Sequence, residues 1–185
     1  MCRQDSSYNT EHNFRGAGKV PNGQRRVVAD SSSLILLQKS QIFHTFLKSY
    51  SVIIARSVYD ELNVPQKKGA GELVGLLRDV VKNPLANHRL AGMGAGESCS
   101  IHLYNEGYGD FMLLDDRKAA NYCKARDIPF VNSLLLPRIL YGAAIIDERR
   151  YRLVTNNLIE DGYYSERIIA MAGDISAERL RDFFP

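Results

Sequence analysis

The sequence predicts an α/β fold: a three-layer α-β-α sandwich around a mainly parallel central sheet. Three observations predict it. Short apolar runs of strand length stand at Val27–Ala29, Val52–Ala55, Phe111–Leu114 and Pro129–Val131. The stretches between them are helix-length, as crossovers between parallel strands require. With 185 residues, 45% of them hydrophobic, the chain has enough apolar surface for one domain with a buried core.

The elements follow in order. Val27-Val28-Ala29 is a short first strand that reaches Asp30 and three serines. Ser31 to Lys39 begins with residues that cap helices and continues with a leucine-rich face. Val52-Ile53-Ile54-Ala55 is β-branched and too short for a helix. Ser57 to Leu62 starts another helix, which Pro65 limits. Gly71 to Val81 reads as one helical stretch, with Leu73, Val74, Leu76, Leu77, Val80 and Val81 on a broad apolar face. Asn83 to Arg89 is turn-like, and Leu90 to Gly96 is a glycine-rich loop. Glu97 to Asn105 is a helix, closed by Gly107. Phe111 to Leu114 is the clearest central strand and ends in Asp115-Asp116. Lys118 to Arg126 is helical, Pro129 to Val131 a short strand, and Ser133 to Tyr141 helical again.

Charge divides the chain unevenly. The net charge is +3, from 24 Lys and Arg against 21 Asp and Glu. Residues 1–26 hold Arg3, Arg15, Lys19, Arg25 and Arg26 against Asp5 and Glu11, which leaves 19 bases and 19 acids in the remainder. The expected organisation is therefore a disordered basic tail over residues 1–26 and a single domain over residues 27–185. No signal-peptide pattern opens the chain, and its most apolar late stretch, Leu134 to Ile146, is broken by Pro137 and Arg138. A soluble, cytoplasmic protein without a membrane partner is expected. Cys2, Cys99 and Cys123 lack Cys-x-x-Cys spacing, and Cys99 and Cys123 read as small buried hydrophobes. His12, His44, His88 and His102 have no ligand spacing. Gly16-Ala17-Gly18-Lys19-Val20 mimics a phosphate loop but lacks its first glycine, its closing Ser or Thr and a preceding strand.

The chemistry-bearing pattern is acidic. Asp30 closes the first strand, Glu61 lies in the helix after the second, Glu97 opens a helix, and Asp115-Asp116 closes a later strand. In a parallel sheet these positions face one rim, where ligands gather. Converging carboxylates repel and take up protons unless cations balance them. Four carry about −4, which two Mg²⁺ or Mn²⁺ ions would neutralise with the oxygen ligands these ions prefer. Such a pair activates water and stabilises the leaving oxygen of a phosphodiester. Each acid also has a plain structural reading: Asp30 as a helix cap, Glu61 as a solvated helix acid, Glu97 at a helix dipole, and one of Asp115 and Asp116 as a turn residue.

The segments VVADSSSLILL, SVYDEL, GAGESCSIHLYNEG and FMLLDDRKAANYCKARDIPFV, in this order and spacing, resemble PIN-domain proteins. These are Mg²⁺- or Mn²⁺-dependent ribonucleases that include toxins of toxin–antitoxin pairs. The resemblance implies a PIN-like sandwich and an endoribonuclease that uses Asp30, Glu61, Glu97 and Asp116 as catalytic acids and metal ligands. Asp115 is an alternative ligand, because Leu114 stands where the family's Thr-x-Asp pattern has Thr and so the choice is open. Ser32 would hold or orient Asp30. Arg117 and Lys118 flank the site and either meet phosphate or are solvated. Leu158 to Gly173 looks like a C-terminal helical hairpin, in which Tyr163 and Tyr164 either stack on bases or pack. RNA is the implied partner, an antitoxin protein and a homodimer further ones. The alternative is a catalytically weak PIN-like module that binds RNA or a protein.

Overall fold

The computed structural model describes residues 23–64 and 70–185. Five strands form one sheet: β1 (Arg26–Ala29), β2 (Ser51–Ala55), β3 (Val81–Lys82), β4 (Phe111–Leu113) and β5 (Phe130–Val131). Their order is β3-β2-β1-β4-β5, and every neighbouring pair is parallel. The α/β sandwich with a parallel sheet is therefore borne out. β1 is central because Val27, Val28 and Ala29 can be covered on both faces, and all three are fully buried. From β1 the chain lays β2 and β3 to one side, then returns to lay β4 and β5 on the other. That reversal falls between β1 and β4, and in such sheets the carboxyl ends at this switch are the usual binding place.

The helices are α1 (Ser31–Lys39), α2 (Phe43–Ser49), α3 (Arg56–Leu62), α4 (Ala70–Leu77), α5 (Ala95–Asn105), α6 (Arg117–Lys124), α7 (Leu136–Gly142), α8 (Glu148–Gly162), α9 (Glu166–Asp174) and α10 (Ala177–Arg181). Strand alternation feeds two cores. Phe111 and Leu113 of β4 join the larger core, which also holds Leu34, Leu37, Phe43, Phe46 and Val58. Met112 and Leu114 turn to the other face, where Ile101, Ala119, Cys123 and Ile128 form the smaller core. Burial pushes the Cys123 thiol up to about 11, as its packing role demands. Cys99 is half-buried.

Several expected elements are corrected. The stretch Gly71 to Val81 is not one helix: α4 ends at Leu77, a 3₁₀ turn covers Arg78–Val80, and Val81 enters β3. Apolar periodicity cannot separate these, whereas pairing of Val81 with Ile54 and Lys82 with Ala55 does. Helix α2 was not expected at all, although Phe43 and Phe46 are its buried face. The helix after β5 starts at Leu136 rather than Ser133, which leaves Ser133 in a turn with its hydroxyl available. The C-terminal hairpin is present but larger, beginning at Glu148, turning at Tyr163 and followed by α10.

The first strand starts one residue earlier than expected, at Arg26. Arg26 belongs to β1, donates its amide and Nη2 to Asp110 at 2.8 and 2.6 Å, and donates Nη1 to the Gly107 carbonyl. Partial burial opposes ionisation of Asp110, but these donors hold its carboxyl below the usual carboxylate range. Arg25 lies over the Phe111 ring, 5.8 Å from its centroid. Two of the five basic residues assigned to the tail are thus attached to the sheet. Residues 1–22, including the phosphate-loop mimic, lie outside the described residues. Among the described residues no helix is long and apolar enough to cross a membrane.

Candidate metal centre

Asp30 follows the central strand and caps α1, accepting the Ser33 amide at 2.7 Å on Oδ1. Its Oδ2 accepts the Ser32 hydroxyl at 3.0 Å and the Asp115 amide at 3.3 Å. Asp30 is thus a helix cap that also accepts the Ser32 hydroxyl. Asp30 is only 5% exposed. Burial, reinforced by the charge of Asp115, pushes its carboxyl up to about 7, against the lowering effect of its donors Ser33 and Ser32.

The three serines after Asp30 serve three different carboxylates. Successive residues on a helix project about 100° apart, so one short run reaches three directions. Ser31 donates to Glu61 Oε2 at 2.7 Å, Ser32 to Asp30, and Ser33 to Asp115 Oδ2 at 2.7 Å. Glu61 is half-buried on α3, next to Asp60, which is exposed and paired with Arg56. Buried Val58 fixes that helix face.

Glycines make room for two of these acids. A Cβ on Gly96 would stand 2.6 Å from Glu61 Oε1, and one on Gly94 would strike the Glu97 carboxylate. The glycine-rich loop therefore lets α5 approach α3 with Glu97 in its first turn. Glu97 Oε2 is buried and has no hydrogen-bond partner among the described residues.

The two adjacent aspartates have different surroundings. Asp116 caps α6, accepting the amides of Lys118 and Ala119, both at 2.8 Å and both on Oδ1. Among the described residues no hydrogen bond falls on its Oδ2. Asp115 accepts the hydroxyls of Ser33 at 2.7 Å and Ser133 at 2.5 Å on Oδ2. Its Oδ1 accepts the Tyr164 hydroxyl at 2.5 Å and the Ser133 amide at 3.2 Å. A carboxylate offers about four acceptor positions, so Asp115 is saturated. Leu114 is 1% exposed and packs in the smaller core.

The structure thus ties Asp30 to Asp115 directly, ties Glu61 to the start of α1, and sets Glu61 against the residue before Glu97. Arg117 and Lys118 are exposed in the first turn of α6. Tyr163 is 94% exposed, whereas Tyr164 is half-buried and turned onto Asp115. His88 and His102 bind each other rather than a site: the His102 ring nitrogen lies 2.9 Å from the His88 carbonyl. The hydrogen bonds of Ser31, Ser33, Ser133 and Tyr164 to these carboxylates were not expected; for Tyr164 the sequence suggested base stacking or packing. The serine run was a signal for the first two; Ser133 and Tyr164 reach Asp115 across 18 and 49 residues and carried none.

Among the described residues no three His, Cys, Asp or Glu side chains form a closed metal cluster. The donor set nevertheless suits a hard cation. Among the described residues no donor reaches the buried Glu97 Oε2 or Asp116 Oδ2, and positive charge beside Asp30 would offset the burial and the Asp115 charge that raise its carboxyl.

A family model described as a PIN domain matches residues 26–171. No curated protein and no solved structure matches the chain.

Proposed function

The chain belongs to the PIN-domain family, a fold of nuclease type, and from that premise we propose that it is a cytoplasmic, metal-dependent endoribonuclease. The observation that supports this reading is the Glu97 Oε2 atom, buried and without a hydrogen-bond partner among the described residues, on the helix whose Gly96 packs against Glu61. Asp30, Glu61, Glu97 and Asp116 would hold Mg²⁺ or Mn²⁺, directly or through water. When bound, the cation supplies Lewis-acid charge for a water and for the phosphate oxygens of RNA.

The protein's own part is placement. The serine run holds Glu61, Asp30 and Asp115, and Gly96 and Gly94 leave room for Glu61 and Glu97, before any substrate arrives. Arg117 and Lys118 are exposed beside Asp116 and suited to flanking phosphates. An antitoxin protein that covers the acidic rim would be the regulatory partner, and a homodimer the working assembly.

Cleavage of a generic RNA with Mn²⁺, lost with EDTA and in Asp30→Asn and Glu97→Gln, is the test. Equal cleavage by those variants would assign the activity to a contaminant and defeat the proposal. A second reading, a PIN-like module that binds RNA or protein with little catalysis, is favoured by the absence of a closed metal cluster among the described residues. It prevails if the same variants bind RNA as well as the unmodified chain and no RNA is cut.

A further inference from the structure

We propose that Tyr164 is a positioning residue of this site: it fixes Asp115 through its hydroxyl, and Asp115 with Ser33 in turn fixes Asp30. The consequence for metal rests on the nuclease reading above, while the positioning does not.

The argument begins with the hairpin. Helix α8 packs against α1 and α7, so its end is anchored to the helix that Asp30 caps. At that end Tyr163 adopts a left-handed backbone, φ 49°, uncommon for a bulky residue. This turn sends the two adjacent tyrosines apart, Tyr163 into solvent and Tyr164 inward. A tyrosine serving only as packing needs any acceptor for its hydroxyl. Tyr164 instead meets a carboxylate, at 2.5 Å.

Asp115 has no acceptor position left for a cation, because Ser33, Ser133 and Tyr164 fill all four. It acts as a fixed anion that organises its neighbours. Its amide donates to Asp30 Oδ2, and the Ser33 hydroxyl that it accepts belongs to the residue whose amide donates to Asp30 Oδ1. Removing the Tyr164 donor leaves Oδ1 with only the longer Ser133 amide contact, lets the carboxylate turn, and loosens both contacts to Asp30.

The test uses the full chain with Tyr164→Phe, and Tyr163→Phe as the control. Backbone amide shifts in the cation-free protein should change at Ser133 and Asp115 and extend to Ser33 and Asp30. Titration with Mn²⁺ in the absence of RNA should show about tenfold weaker binding for Tyr164→Phe alone, the scale usual for partners that orient a site. Shifts that stop short of Ser33 and Asp30, or an unchanged Mn²⁺ affinity, overturn the inference. If the unmodified chain binds no Mn²⁺, the nuclease reading fails, and the amide shifts alone decide the positioning. Should Tyr164→Phe not fold, Ser133→Ala removes another donor to Asp115 and is read by the same criteria.

Discussion

Ser33 joins Asp30 to Asp115: its amide donates to one carboxylate and its hydroxyl to the other, each at 2.7 Å. The two acids follow different strands of the sheet, β1 and β4. A single helix-start residue thus sets the spacing of two like charges, and that spacing has a cost that pH can reveal.

Asp30 has its carboxyl raised from 3.8 to about 7 by burial and by Asp115. Between those values the folded protein binds more protons than the unfolded chain, so stability falls as pH rises. The contribution is fully present below about 4 and lost through about 7, at most roughly 4 kcal/mol from this group. With EDTA present, the thermal midpoint should decline from pH 5 to pH 8, and Asp30→Asn should flatten that decline. Excess Mn²⁺ should restore the midpoint at pH 8 in the unmodified protein alone. An identical slope in Asp30→Asn would assign the dependence elsewhere.

The neighbours Asp115 and Asp116 should separate by assay. Asp116→Asn keeps a good helix cap and should leave the midpoint nearly unchanged while weakening Mn²⁺ binding. Asp115→Asn loses an ionised acceptor for Ser33, Ser133 and Tyr164, and should lower stability by about 1.5–3 kcal/mol or more. Denaturant unfolding and Mn²⁺ titration of both variants check this. The reverse ranking would exchange their roles.

Gly96→Ala should oppose helix propensity. At an open helical position such as Gly75, alanine stabilises by about 0.5–1 kcal/mol. At Gly96 the added carbon stands 2.6 Å from Glu61 Oε1, so Glu61 must leave Ser31 or α5 must retreat. Gly75→Ala should therefore raise the midpoint and retain Mn²⁺ binding, while Gly96→Ala weakens it. Equal Mn²⁺ affinities in the two variants would remove Glu61 from the site.

Removal of residues 1–22 should affect RNA binding through salt alone. That segment carries Arg3, Arg15 and Lys19 and leaves Arg25 and Arg26 on the sheet. If all three bases neutralise phosphates of single-stranded RNA, the salt slope should become shallower by about 2. Cleavage of saturating RNA should persist. Its loss would mean that the chemistry needs the segment.

Much of the architecture was legible because burial writes itself into local pattern. Val27–Ala29 and Phe111–Leu114 are apolar without alternation, as strands covered on both faces must be. Strand β3 was hidden because Val80 and Val81 fit a helical stripe as well as an edge strand, and only pairing with β2 separates these. Asp30 and Asp115 were legible for the same reason as the strands: they follow β1 and β4, which lie side by side in the sheet.

By itself, then, the sequence determined the sheet class, the acids that follow β1 and β4, and the glycines at the start of α5, since each depends on neighbours within a few residues. Tertiary structure alone decided that Asp115 is saturated while Asp116 keeps an open oxygen, that Arg26 is a strand residue, and that Tyr164 reaches the site. Those outcomes depend on hydrogen bonds across 18 to 84 residues, whose partners no local pattern specifies.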